Sequence, residues 1–266
     1  MFRGDGGNET KRVVVLSDLH SGHRSGLTPP SWQYQDNEDD EAKAKYGEFQ
    51  RILWNWFAKT IPHPVDTLVV NGDAIDGKGP KSGGTELLTA DRRAQVKIAA
   101  EAIREVKAKR VFIIKGTGYH TGRDEDWEEV LGDDVEAYHV ASHEWIDAEG
   151  VIFDFRHKTS GSVIPHGRFT GPNRAAVWNG IWSQRGMQPL AHVYIRSHVH
   201  YYSYSGDAQK LVITSPALQG WTKFGSNEIE GTNDIGFLQF DCEGGTFKWQ
   251  ANLLDMQFMA ARALPA

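Results

Sequence analysis

"VVVLSDLHSGH", residues Val13 to His23, runs four apolar β-favouring residues straight into an aspartate and, two positions later, a histidine. A run of this kind between polar flanks reads as a buried strand. Such a strand has no structural need of a carboxylate and an imidazole at its end. Asp18 and His20 are therefore either turn residues or the first two ligands of a metal site, and the other strand ends decide between these.

Further apolar runs lie at Thr67–Asn71, Arg110–Lys115, Val151–Phe155, Val193–Ser197, Lys210–Thr214 and Gly236–Phe240, with the first at Arg12–Ser17. Tyr46, Phe49, Leu53, Trp56 and Phe57 recur at threes and fours, predicting a helix that Pro62 and Pro64 stop. Val96, Ala99, Ile103 and Val106 form a second helical stripe opposite charged residues. Strands separated by helices of this length predict βαβ units, and the strand-rich remainder predicts a mixed sheet or a second sheet packed on the first. With no repeat and no linker, residues 1–266 read as one α/β domain. Residues 24–46, opening on a polar tract with Pro29 and Pro30, read as a surface excursion.

Each strand delivers chemistry at its end: Asp73 and Asp76 in "NGDAIDG", Thr117 and His120 in "KGTGYH", His157 in "FRH", and His198 and His200 in "SHVH". Ligands of open α/β sheets bind beyond the carboxyl ends of the strands. Singly these are weak signals. G-D-x-x-D-G is also a turn pattern, whereas H-x-H on a strand puts both imidazoles on one face. Together they read as a metal site. Carboxylates mixed with imidazoles suit manganese, iron or zinc, and the thiolates of a zinc finger are missing.

This ordered set resembles the calcineurin-like metallophosphoesterase superfamily, from about Val13 to Tyr202, and its loose third motif is similar to that of viral and prophage members. The resemblance implies an α/β/β/α sandwich of two mixed sheets and hydrolysis of phosphate esters at two divalent ions, manganese foremost. It implies that Asp18, His20 and His200 hold one ion, that His157 and His198 hold the other, and that Asp73 bridges both. Asp76 would support a ligand, and His120 would protonate the leaving group. Paired ions of this kind activate a water and clamp phosphoryl oxygens. The family's usual G-N-H is here "GTGYH". Thr117 stands in the Asn place counted from the strand, and Tyr119 counted back from His120. His23, His139, His143 and His166 are spare histidines, expected to be structural.

Composition is that of a folded protein, 39% hydrophobic and 24% charged, with a net charge of −6 that argues against non-specific nucleic-acid binding by the whole surface. No window approaches the roughly 18 apolar residues of a membrane span. The N-terminal residues lack the apolar core of a signal peptide, and a lone Cys242 fits a reducing cytoplasm. The acidic run Asp36–Glu41 reads as a solvated loop. Phe155–Gly206 contains no Asp or Glu but holds Arg156, Lys158, Arg168, Arg174, Arg185 and Arg196, together with several aromatics. It predicts a surface that meets an anion. Arg168 and Arg174, in the Gly- and Pro-bearing "HGRFTGPNR", are the expected phosphate-binding pair on a shaped loop. The leading reading is a phosphodiesterase acting on a nucleotide or nucleic acid. A phosphomonoesterase and a catalytically weak binding scaffold are the alternatives. Oligomeric state is not legible.

Overall fold

The structure is a computed structural model that describes residues 9–35, 40–122, 126–222, 231–257 and 263. Residues 36–39 of the acidic run lie outside them. Its last two members do not form a loop: Asp40 caps the first helix, accepting from Ala42 N at 2.9 Å, and Glu41 begins it.

In chain order the elements begin β1 (Lys11–Leu16), α1 (Glu41–Thr60), β2 (Thr67–Asn71), α2 (Arg92–Glu105), β3 (Arg110–Ile114), α3 (Gly118–Thr121) and α4 (Trp127–Asp134). They continue β4 (His139–Ala141), β5 (Glu144–Ala148), β6 (Val151–Lys158), α5 (Thr170–Gln184), β7 (Val193–Ser197), β8 (Ser203–Gly206), β9 (Leu211–Thr214), β10 (Gly236–Glu243) and β11 (Thr246–Leu253). The first sheet runs β11-β10-β1-β2-β3-β4 and the second β5-β6-β7-β9-β8. Both are mixed. In the first, β1 to β4 are parallel and β10 is antiparallel to β1; in the second, β6, β7 and β9 are parallel between antiparallel edges.

Period-two alternation builds the layers. Val14 and Leu16 of β1 face the helical side, where Phe49, Leu53 and Phe57 of α1 and Val96, Ala99 and Ile103 of α2 pack. Val13 and Val15 face the other sheet, meeting Phe153, Phe155, Ile195 and Phe240, with Cys242 buried among them. Ala176 of α5 covers Tyr194 and Val212 on the far face of the second sheet. The result is a helix, sheet, sheet, helix sandwich.

Residues 24–46 depart from the expected surface excursion. Residues 25–29 are buried and residues 41–46 belong to α1. Leu27 packs in the helical-side core, its amide donating to Leu19 O at 3.0 Å. Gly26 permits that approach, because a Cβ there would fall 2.2 Å from His20 O. The "HGRFTGPNR" stretch also departs from expectation: from Thr170 it is helix α5, not loop. Pro172 lies in the first turn, where no intrahelical N–H bond is lost. No helix among the described residues is long and apolar enough to cross a membrane.

Candidate metal centre

The site forms where the strands stop. Past the end of β1, Asp18 N donates to Gly72 O and His20 N to Asp73 O, each at 3.0 Å, binding the loop after β1 to the loop after β2. To turn inward at once, the chain adopts left-handed backbone at Asp18 (φ 49°), His20 (44°), Asp73 (49°), His198 (78°) and His200 (56°). Only three other non-glycine residues among those described do so. Left-handed conformations of non-glycine residues are costly and collect at functional sites.

His198 and His200 therefore do not share a strand face as their spacing predicts. β7 ends at Ser197, and the left-handed turns send the two imidazoles to different clusters. His157, expected beyond a strand end, lies inside β6, which continues past an irregular register to Lys158. Glycine makes room for it: a Cβ on Gly72 (φ 84°) would lie 2.4 Å from the His157 ring. A Cβ on Gly116 would lie 2.2 Å from Asp73 Oδ1.

Asp18, His20 and His200 form one group whose ligand atoms lie within 4.8 Å of one another, and Asp73, His157 and His198 form a second. In the first, His200 Nε2 is 3.3 Å from Asp18 Oδ1 and 3.2 Å from His20 Nε2. In the second, Asp73 Oδ2 is 3.0 Å from His157 Nε2 and 3.9 Å from His198 Nδ1. The groups adjoin, with His157 Nε2 3.9 Å from Asp18 Oδ1. His120 joins them, its Nε2 4.0 Å from Asp73 Oδ2, and forms a third possible ligand group with His20 and Asp73.

Three imidazoles are oriented by their outer nitrogens. Nδ1 of His20 meets Asp76 Oδ1 at 3.0 Å, Nδ1 of His157 meets Asn71 O at 2.7 Å, and Nδ1 of His120 meets Asp76 O at 2.8 Å. A carbonyl accepts, so His157 and His120 carry their protons on Nδ1 and turn Nε2 inward. Two buried atoms, Asp18 Oδ1 and His157 Nε2, make no hydrogen bond of acceptable geometry. A buried acceptor left so costs free energy, and a cation between them removes the cost. The donor set fits divalent ions.

Electrostatics agree. Burial opposes charging at Asp18 and Asp73, yet both carboxyls are held below the usual range, Asp18 by His200 and His157 and Asp73 chiefly by His157. Burial and the neighbouring His120 push His20 down to about 4. His157 goes the other way, up to about 10, because Asp73 and Asp18 outweigh its burial. A protonated His157 takes the place that a cation would fill.

Thr117 faces the carboxylates, donating from N to Asp73 Oδ1 at 2.6 Å and from Oγ1 at 3.1 Å. Glu128 escapes sequence reasoning. Buried on α4, it accepts from Ala74 N at 3.1 Å and from Gly116 N, clamping the loops after β2 and β3 together. Burial, then Asp73, pushes its carboxyl up to about 8. Nothing in its spacing separates it from the exposed Glu129.

Among the described residues neither arginine touches these groups. Arg168 stacks over Tyr201, 4.5 Å from the ring centroid, and donates to Thr232 Oγ1 at 3.0 Å. Arg174 projects from α5 with Ser160 Oγ at 3.5 Å. Arg196 is no part of an anion-meeting surface. It is buried, with Nη2 2.7 Å from Asp154 Oδ1. Of the spare histidines, His23 bonds Ser25, His139 pairs with Glu144 and His143 with Asp154; these and His166 lie outside all three groups.

No protein-family profile and no curated protein matches the chain. Solved structures of similar chain course include Vps29 of Chaetomium thermophilum, 11% identical, covering 92% of this chain and 97% of that one at a TM-score of 0.47. A novel archaeal phosphodiesterase is 12% identical over 91% and 99% at 0.48. Vps29 of Entamoeba histolytica complexed with zinc is 14% identical over 91% and 98% at 0.41. The functional reading rests on this chain's own side chains.

Proposed function

We propose that the protein is a metal-dependent phosphoesterase of the calcineurin-like type, acting on phosphodiesters of nucleotides or nucleic acid. The observation that supports this is the pair of buried atoms Asp18 Oδ1 and His157 Nε2, 3.9 Å apart and without a hydrogen bond of acceptable geometry, where two ligand groups adjoin. Asp18, His20 and His200 would hold one divalent ion and His157 and His198 another, with Asp73 reaching both; manganese suits the set first, then iron or zinc. When bound, such ions supply an activated water and neutralise phosphoryl charge.

The chain's own residues do the rest. Asp76 and the Asn71 carbonyl fix the rings of His20 and His157, while Thr117 and Gly116 confine Asp73. His120, anchored through Nδ1, presents Nε2 to the site, and in its doubly protonated form it would deliver the Nε2 proton to the departing oxygen and become neutral. Arg168 and Arg174, which lie outside the ligand groups, would meet phosphates of the substrate away from the one that reacts. An unactivated diester and a chromogenic monoester, each assayed with manganese and with chelator, test the reading. Chelator-sensitive diester turnover is expected. Turnover of the monoester alone makes it a phosphatase, and metal binding without any turnover makes it a binding scaffold.

A further inference from the structure

The second sheet's outer face carries a groove, separate from the metal centre, of about 500 Å³. Its floor is β6, where Arg156 and Lys158 point away from the face that buries Phe155 and His157. Its wall is one stripe of α5, Arg174, Trp178 and Trp182, spaced by fours. The indoles remain 55% and 38% exposed, in a helix whose buried residues are small or polar.

The charges are uncompensated. The groove's carboxylate, Asp154, is occupied by Arg196 at 2.7 Å and His143 at 3.0 Å. The side chains of Arg156 and Lys158 make no hydrogen bond or ion pair among the described residues, and Arg174 has only its long contact to Ser160. Arg156, Lys158 and the loosely held Arg174 thus line a trough beside the open indole of Trp178 and that of Trp182, over which Arg185 lies 5.3 Å from the ring centroid. Cations alone would suit any anion. Planar aromatic faces interleaved with them suit a chain alternating phosphates with unpaired bases, since stacking uses faces that a duplex hides.

The geometry points to this groove as a binding track for single-stranded nucleic acid, running off the end of β6 beside His157. This rests on the phosphodiesterase reading and extends it to a polymeric substrate. Phosphates lie on Arg156, Lys158 and Arg174, and a base stacks on Trp178.

The test uses the full chain with chelator present, so that nothing is cut, and a short fluorescent single-stranded oligonucleotide followed by anisotropy across a salt series. Three neutralised phosphates give a slope of about −2 in log affinity against log salt. Trp178→Ala weakens binding about tenfold, Lys158→Glu flattens the slope, and the matching duplex binds more weakly. Binding that ignores both substitutions overturns the proposal, as does absence of binding at low salt. A polyglutamate peptide that binds as tightly and with the same dependence on Trp178 also overturns it. So does a dimer of the unaltered protein that Trp178→Ala dissociates, which makes the indoles a self-association face. Hydrolysis of a small diester by the unaltered protein with metal judges the phosphodiesterase reading separately. Groove-dependent binding without hydrolysis supports the track and sinks that reading; hydrolysis without groove-dependent binding does the reverse.

Discussion

Thr117 turns both its amide and its hydroxyl on Asp73, with N 2.6 Å from Oδ1 and Oγ1 3.1 Å from Oδ1 and 3.3 Å from Oδ2. The hydroxyl occupies lone pairs that a cation would otherwise use, and it is a poorer neutral ligand than an amide oxygen. Thr117→Asn is expected to tighten the more weakly held ion by about tenfold. A manganese titration of both proteins reads this directly, and superimposable isotherms refute it.

Asp73 belongs to the group with His157 and His198 and, in the third group, stands beside His20, a ligand proposed for the other ion. Asp73→Asn is expected to abolish turnover and loosen both ions, whereas His200→Ala and His198→Ala each loosen one. Elemental analysis after gel filtration checks it. Two tightly held ions in Asp73→Asn rule out the shared role.

Metal binding should release a proton from His157. Without metal its pKa of about 10 lies above the unfolded value of about 6.5. Its contribution to stability is thus complete below pH about 6.5 and is lost as pH rises through 10. A metal needs the neutral ring, so apparent affinity should climb about tenfold per pH unit in that window. His20, held at about 4, is already neutral and releases nothing. Calorimetry in buffers of different ionisation heat counts the protons, and a count of zero contradicts the assignment.

Above pH about 8, where Glu128 is ionised, Glu128→Gln replaces one of two acceptor oxygens by a donor, leaving Ala74 N or Gly116 N facing an N–H. One buried amide without a partner costs about 1–3 kcal/mol. Chemical denaturation should show that loss, together with weaker metal binding, because the two loops carry Asp73 and Thr117. A variant with wild-type stability and metal affinity would show that the clamp is idle.

The apolar runs of β1, β2 and β7 are legible because these strands are buried on nearly every position. β11 hides from that criterion. Its Phe247, Trp249 and Ala251 alternate with exposed residues, a period-two pattern without an apolar run. α5 hides for a different reason: Trp178, Val177 and Ile181 are left in solvent, so no single apolar stripe marks it. The ligands are legible because each sits at or near the end of an apolar run. How His198 and His200 part company is not, since it depends on backbone angles that spacing does not encode. Nor is Glu128, whose role comes from the docking of α4.

The left-handed twists at Asp18, His20, Asp73, His198 and His200 bear on how this protein would respond to laboratory evolution. Glycine adopts that conformation without the steric penalty these side chains incur. In chelator, glycine at His198, whose side chain is 35% exposed, relieves strain while leaving the buried pairs of Asp18 and Asp73 intact, so the variant gains ruggedness as it loses chemistry. A library selected for heat resistance alone would therefore be expected to erase the metal centre first. Screening for turnover in every round is the condition for improving this scaffold without emptying it.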